Sequence, residues 1–179
     1  MKPTRPTLPT RPVSHVRDAS AKLMAVTAAL ALSACAIHTP GRLALGASVA
    51  DAVRGLGPAT HEDDVANATK RLEYSGGTYG KQTWMLDFDG ARQLTARTQV
   101  RLEARFNQVL AGMTQTEVLQ RIGHPSERSL LGFQKQTVWS YRFEGPFCVW
   151  FQVGLAADDR VVDTAYLPDP ICEPLGFEK

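Results

Sequence analysis

The groups best equipped for chemistry in this chain are its histidines and the acidic residues near them. His61 precedes Glu62, Asp63 and Asp64, types that ligate cations, although a solvated acidic loop after a helix accounts for the same run. His124 stands in Gly123-His124-Pro125, a helix stop, and reads as a turn residue rather than a ligand. His15 falls in a basic leader, and His38 lies close behind Cys35. Asp87-x-Asp89-Gly90 opens like a calcium loop but lacks the later acidic ligand, so a hairpin turn explains Asp-Gly better. Zinc spacing of Cys and His, a phosphate-cradling glycine loop and a nucleophile elbow are all missing. The expectation is a protein that is not an enzyme, with no catalytic residue, no metal and no cofactor.

The three cysteines divide by position. Leu23 to Leu32 is an apolar segment too short to span a bilayer, preceded by Lys2, Arg5, Arg11, Arg17 and Lys22. It ends in Leu32-Ser33-Ala34-Cys35, which resembles the lipobox of bacterial lipoproteins. The resemblance implies cleavage before Cys35, lipidation of Cys35, and a lipid anchor. The residue after the cysteine is Ala36 rather than Asp. By resemblance to lipoprotein sorting, that implies an outer-membrane location facing the periplasm. In such an oxidising compartment the remaining even pair, Cys148 and Cys172, is expected to form a disulfide; two free thiols are the alternative.

The leader also carries the charge balance. Five of the 20 basic residues and one of the 18 acidic residues precede Cys35, so the chain from Cys35 onward has a net charge of −2 rather than +2. A basic footprint for nucleic acid is therefore absent. The expected organisation is a signal peptide over 1–34, a lipidated linker over 35–40, a first repeat over 41–100, a second over 101–167, and a Pro-rich tail over 168–179.

The repeats are legible as capped helices. Ser48 and Thr114 occupy N-cap positions, with Asp51 and Glu117 three residues on, as in a capping box. Ala52, Val53 and Leu56 match Val118, Leu119 and Ile122 as an apolar face. Gly57 and Gly123 end each helix in a left-handed cap, and a proline follows each. Downstream, each copy shows three β-rich runs separated by turns: 71–74, 82–88 and 92–98 in the first, 138–141, 148–153 and 160–166 in the second. Residues 61–69 read as a polar loop. Leu102 to Leu110 has helical spacing and would supply a further helix beside the second capped one; its counterpart near Gly41 to Leu45 is truncated.

Leu110-Ala111-Gly112-Met113-Thr114, with Val118, Leu119, Ile122, Gly123 and Pro125, resembles the signature of the SmpA/OmlA (BamE-like) lipoprotein family. Tandem doubling resembles the architecture of the β-lactamase inhibitory protein. The implied fold class is α+β: two tandem BamE-like repeats, each a helix pair packed on a three-stranded antiparallel sheet. The first repeat is degenerate, with Ala47 where the motif has Met.

Aromatics concentrate on the expected strands. Trp84, Phe88, Trp150 and Phe151 are candidate protein-binding residues, because aromatic side chains dominate interface energies. Adjacent Trp150 and Phe151 must point to opposite faces of a regular strand. The alternative is that the repeats bury these faces against each other. The expected function is a non-enzymatic protein-binding or scaffold module whose partner is an envelope protein, with β-barrel assembly components as the implied candidates. The competing expectation is a proteinaceous inhibitor of a secreted or periplasmic enzyme.

Overall fold

The computed structural model describes residues 39–65 and 69–172. Cys35, the leader and the segment from 173 onward, which holds most of the Pro-rich tail, lie outside the described residues.

Two helix starts set the repeat. α1 (Val49–Leu56) begins at Ser48, whose hydroxyl accepts the Asp51 N–H at 3.1 Å while the Asp51 carboxylate accepts the Ser48 N–H at 3.3 Å. A single turn, α2 (Glu103–Phe106), opens the second half. α3 (Gln115–Ile122) then repeats the α1 device, with Thr114 and Glu117 joined by bonds of 3.2 and 2.7 Å. Both capped helices end at a glycine of positive φ, Gly57 at 84° and Gly123 at 76°. Their ψ values, −174° and −170°, make them extended positive-φ residues rather than the left-handed helical cap expected. That region is open essentially to glycine alone.

Two sheets follow. The first contains β1 (His61–Val65), β2 (Thr69–Ser75), β3 (Thr83–Phe88) and β4 (Leu94–Gln99); the second contains β5 (Glu127–Leu131), β6 (Gln136–Arg142), β7 (Val149–Leu155) and β8 (Val161–Pro168). Each is an antiparallel meander with neighbours in chain order. The copies agree bond by bond. The Tyr74 hydroxyl donates to the Gly57 carbonyl at 3.1 Å, and Tyr141 does the same to Gly123 at 3.2 Å. The Gly46 N–H donates to Leu94 O and the Gly112 N–H to Val161 O, both at 2.8 Å. The bulge at Asp87/Phe88 recurs at Gly154/Leu155.

The fold class expected from sequence is corrected on two counts. Each sheet has four strands, not three; the first repeat has a single α-helix, and in the second the partner of α3 is only one turn, α2. The missed strands, β1 and β5, are exposed edges along almost their whole length, so no apolar alternation marks them. The stretch read as a polar loop, HEDDV, is a strand because its backbone pairs with β2, not because its side chains seek a core. The expected helix over 102–110 shrinks to one turn. Phe106 and Val109 are buried, but Leu102 and Leu110 remain exposed and α2 has no side-chain N-cap. In the first repeat a 3-10 turn, Pro40–Arg42, delivers Leu43 to the core instead of a helix.

Each repeat has its own core. Leu43 and Ala52 cover Leu72, Tyr74, Leu86, Phe88 and Leu94 of the first sheet. Phe106, Val109, Val118 and Ile122 cover Trp139, Tyr141, Phe151, Val153 and Leu155 of the second. Phe106 stacks on Phe151 with centroids 4.6 Å apart. Thr114→Ala removes one helix start without touching either core, and is expected to lower stability by about 1 kcal/mol; urea unfolding of the variant checks this.

Candidate functional site

The polar groups of the molecule converge where the repeats meet. α3 packs Val118 and Ile122 into the second sheet's core, and the other side of its last turn reaches the first sheet. There Arg71 Nη1 donates to the Gln120 carbonyl at 3.0 Å, while its other nitrogens hold the Asp87 carboxylate at 2.6 and 3.2 Å. Layers therefore alternate as α1, first sheet, α3, second sheet.

At the centre of this seam lies Glu73, 2% exposed. Its carboxylate accepts the His124 backbone N–H at 3.1 Å and lies 2.9 Å from His124 Nδ1. A Cβ added to Gly123 would meet the same carboxylate at 3.1 Å, so the glycine serves both backbone conformation and close approach. His61, from the start of β1, stacks on the His124 ring with centroids 3.4 Å apart and planes 14° apart. Partial burial and the neighbouring His124 hold the His61 imidazole below its ordinary pKa. The ligand atoms of His61, Glu73 and His124 lie within 4.8 Å of one another. Sequence spacing separates these residues and dismissed both histidines; strand pairing and the α3 stop bring them together.

A second group anchors the linker between the repeats. Arg101 is 1% exposed and donates to Gly80 O, Ser126 Oγ, Arg142 O and His124 O at 2.7 to 3.2 Å. Burial lowers its pKa, and the charge of Glu73 opposes that shift. Its Nε has no hydrogen-bond partner. Arg142 forms a two-pronged pair with Asp169 at 2.6 and 3.0 Å and donates to Thr78 O at 2.9 Å. Asp169 is placed by the end of β8 and by the disulfide between Cys148 and Cys172, whose Cα atoms are 6.2 Å apart. The expected pairing of these cysteines is thus present.

The four aromatics singled out from sequence are packing residues in this arrangement. Phe88 and Phe151 are 0% and 2% exposed in the two cores, and Trp150, 8% exposed, lies under Arg142 on the opposite face. Half-buried Trp84 lies against Gly41, where a Cβ would not fit. Trp150 and Phe151 do point to opposite faces of β7, as alternation requires.

The outer faces of the two sheets differ. On the first, Glu73, Thr83 and Met85 are buried, with α3 and the Gly123-His124 stop lying over Arg71 and Glu73. On the second, the matching lower part is a shallow depression of about 330 Å³ lined by Leu131, Val138, Gln152, Gly154, Ala165 and Leu167. Leu131 and Leu167 are 41% and 45% exposed. No α-helix follows α3 among the described residues, and the 3-10 turn Pro170–Cys172 after β8 supplies none of the residues that line it.

No protein-family profile matches this chain, and no curated protein matches it. Among solved structures it is similar to an extracellular SCP-domain protein of Bacillus anthracis (12% identity, 70% of this chain and 44% of that one, TM-score 0.28). It is also similar to a DUF4309 family protein of Bacillus subtilis (8% identity, 69% and 79%, TM-score 0.29). A third is a cysteine-rich secretory protein of Staphylococcus aureus (10% identity, 71% and 44%, TM-score 0.28). The chain spans less than half the length of the first and third. Superposition this weak carries no argument about fold or function.

Two measurements test the seam. Asp169→Ala leaves Arg142 buried with Glu127, 3.8 Å away, as its one acidic partner among the described residues, and is expected to cost about 3 kcal/mol in chemical denaturation. Gly57→Ala and Gly123→Ala impose the same backbone strain, roughly 1–3 kcal/mol each. Only Gly123→Ala also pushes on Glu73, so it should destabilise more than Gly57→Ala, where the added Cβ meets nothing.

Proposed function

We propose that this chain is a lipid-anchored, non-enzymatic module of the outer membrane, facing the periplasm, that binds another envelope protein through the outer face of its second sheet. The observation supporting this reading is the asymmetry between repeats of nearly the same construction. A helix and its stop cover the outer face of the first sheet, whereas no described element covers the lower part of the second.

The chemistry of that face suits a protein partner. Leu131, Ala165 and Leu167 supply exposed apolar area, with buried Val138 at the floor, while Gln152 and Asp163 supply hydrogen-bonding groups. In the first repeat the corresponding layer is filled by an amphipathic helix, so a helical segment of the partner is the natural occupant. Lipidation at Cys35 would hold the module at the membrane surface, and the SmpA/OmlA resemblance makes β-barrel assembly components the first partners to seek.

Photo-crosslinking amino acids at Gln152 and Ala165, with one at exposed Thr95 on the first sheet as control, test the reading in intact cells. Capture of one envelope protein from the first two positions and not from the third is expected. Ala165→Arg should abolish that capture without loss of the folded protein. Capture that is indifferent to position would overturn the assignment of this face.

A further inference from the structure

We propose that His61, Glu73 and His124 form a binding site for one divalent transition-metal ion of borderline softness, with Zn²⁺ as the probe, and that the ion ties the first repeat to the second.

The donor set is two imidazoles and a carboxylate, which suits zinc, copper, nickel or iron rather than calcium or magnesium. It is drawn from three separate places: the start of β1, the middle of β2, and the residue after the α3 stop. Their ligand atoms all lie within 4.8 Å of one another. Ligands on a single zinc ion stand roughly 3–4 Å apart, so the separations already present are close to those a shared ion needs. Parallel rings aim their lone pairs side by side rather than at one point, so coordination requires His61 to hinge out of the stack. His61 is the exposed member, at the edge of the sheet, and has the freedom to do so.

The other two ligands are already held. Glu73 is buried, and the His124 N–H bonded to its carboxylate fixes its orientation, which is the role outer-shell partners play at metal sites. Wedged against Gly123, that carboxylate has little room to turn away. The solvent side of His61 provides an entry path and leaves coordination positions for water. Arg101 and Arg128 are the cations that act electrostatically on this group. Four hydrogen bonds commit Arg101 to other oxygens, and Arg128 lies over the Trp139 ring. Neither competes for the Glu73 oxygens through a hydrogen bond.

The test is calorimetric titration of Zn²⁺ into the full chain, purified in detergent without a histidine tag. One ion per chain is expected, together with a rise in Tm of several degrees at saturating metal, because an ion that bridges the repeats binds only the folded state. His61→Ala removes an exposed side chain. It should keep the wild-type Tm in the presence of a chelator while weakening zinc affinity by at least about tenfold. His38→Ala should leave that affinity unchanged. The proposal is overturned by an absence of saturable uptake below about 100 µM Zn²⁺, a concentration at which even weak three-ligand sites fill. It is also overturned by uptake that His61→Ala does not weaken, which would place the ion elsewhere in the chain.

Discussion

A buried carboxylate needs partners, and the junction of the two repeats is arranged around that of Glu73. Desolvating an unpaired carboxylate costs far more than one side chain's packing returns. Glu73 is satisfied by the backbone and ring of His124, which the second repeat supplies. The contact requires a residue without a side chain at 123, and the α3 stop places a glycine there for backbone reasons of its own. One residue thus ends a helix, admits a carboxylate and sets the distance between the halves. Arg101 reinforces the junction from the linker, reaching carbonyls of both repeats.

Near-identical units in tandem create an end effect. Within the chain, the second repeat's helix fills the layer over the first sheet, but no α-helix among the described residues repeats the operation for the second sheet. Substitutions between the copies follow this difference. Where the first sheet carries Glu73, which meets the residue after the α3 stop, and Asp87, which holds Arg71 against α3, the second carries Ser140 and Gly154 at the matching register. Two carboxylates, each with its own basic partner, stand where the second sheet has a buried hydroxyl that accepts from Gln152 and a residue without a side chain. This asymmetry, rather than any pocket, sets the two ends of the molecule apart chemically.

The aromatic residues illustrate how topology reassigns a side chain's role. Eight aromatics on the strands are enough for a core, an interface or both, and composition does not choose. Layering chooses: Phe88 and Phe151 fall beneath helices, and Trp150 falls beneath Arg142, itself held by a tail that a disulfide returns to β7. Among the described residues the most exposed aromatics are Tyr79, Phe133 and Phe147, each at or near a turn, while Tyr166 on β8 is 39% exposed.

Local chemistry determined by itself what short-range forces decide. The two helix starts are legible because a hydroxyl and a carboxylate three residues apart can satisfy each other within one turn. The helix stops are legible because only glycine takes that backbone shape, and the duplication follows from the recurrence of both. The fourth strand of each sheet was not legible, since an exposed edge strand is specified by its neighbour's backbone and leaves no apolar pattern of its own. Helical spacing over 102–110 misled because spacing does not show whether a surface exists for the outer positions to pack on. Only the tertiary structure brings His61, Glu73 and His124 together. Their proximity depends on the β1–β2 register and on where α3 ends against the first sheet, two long-range facts that no local run of residues encodes.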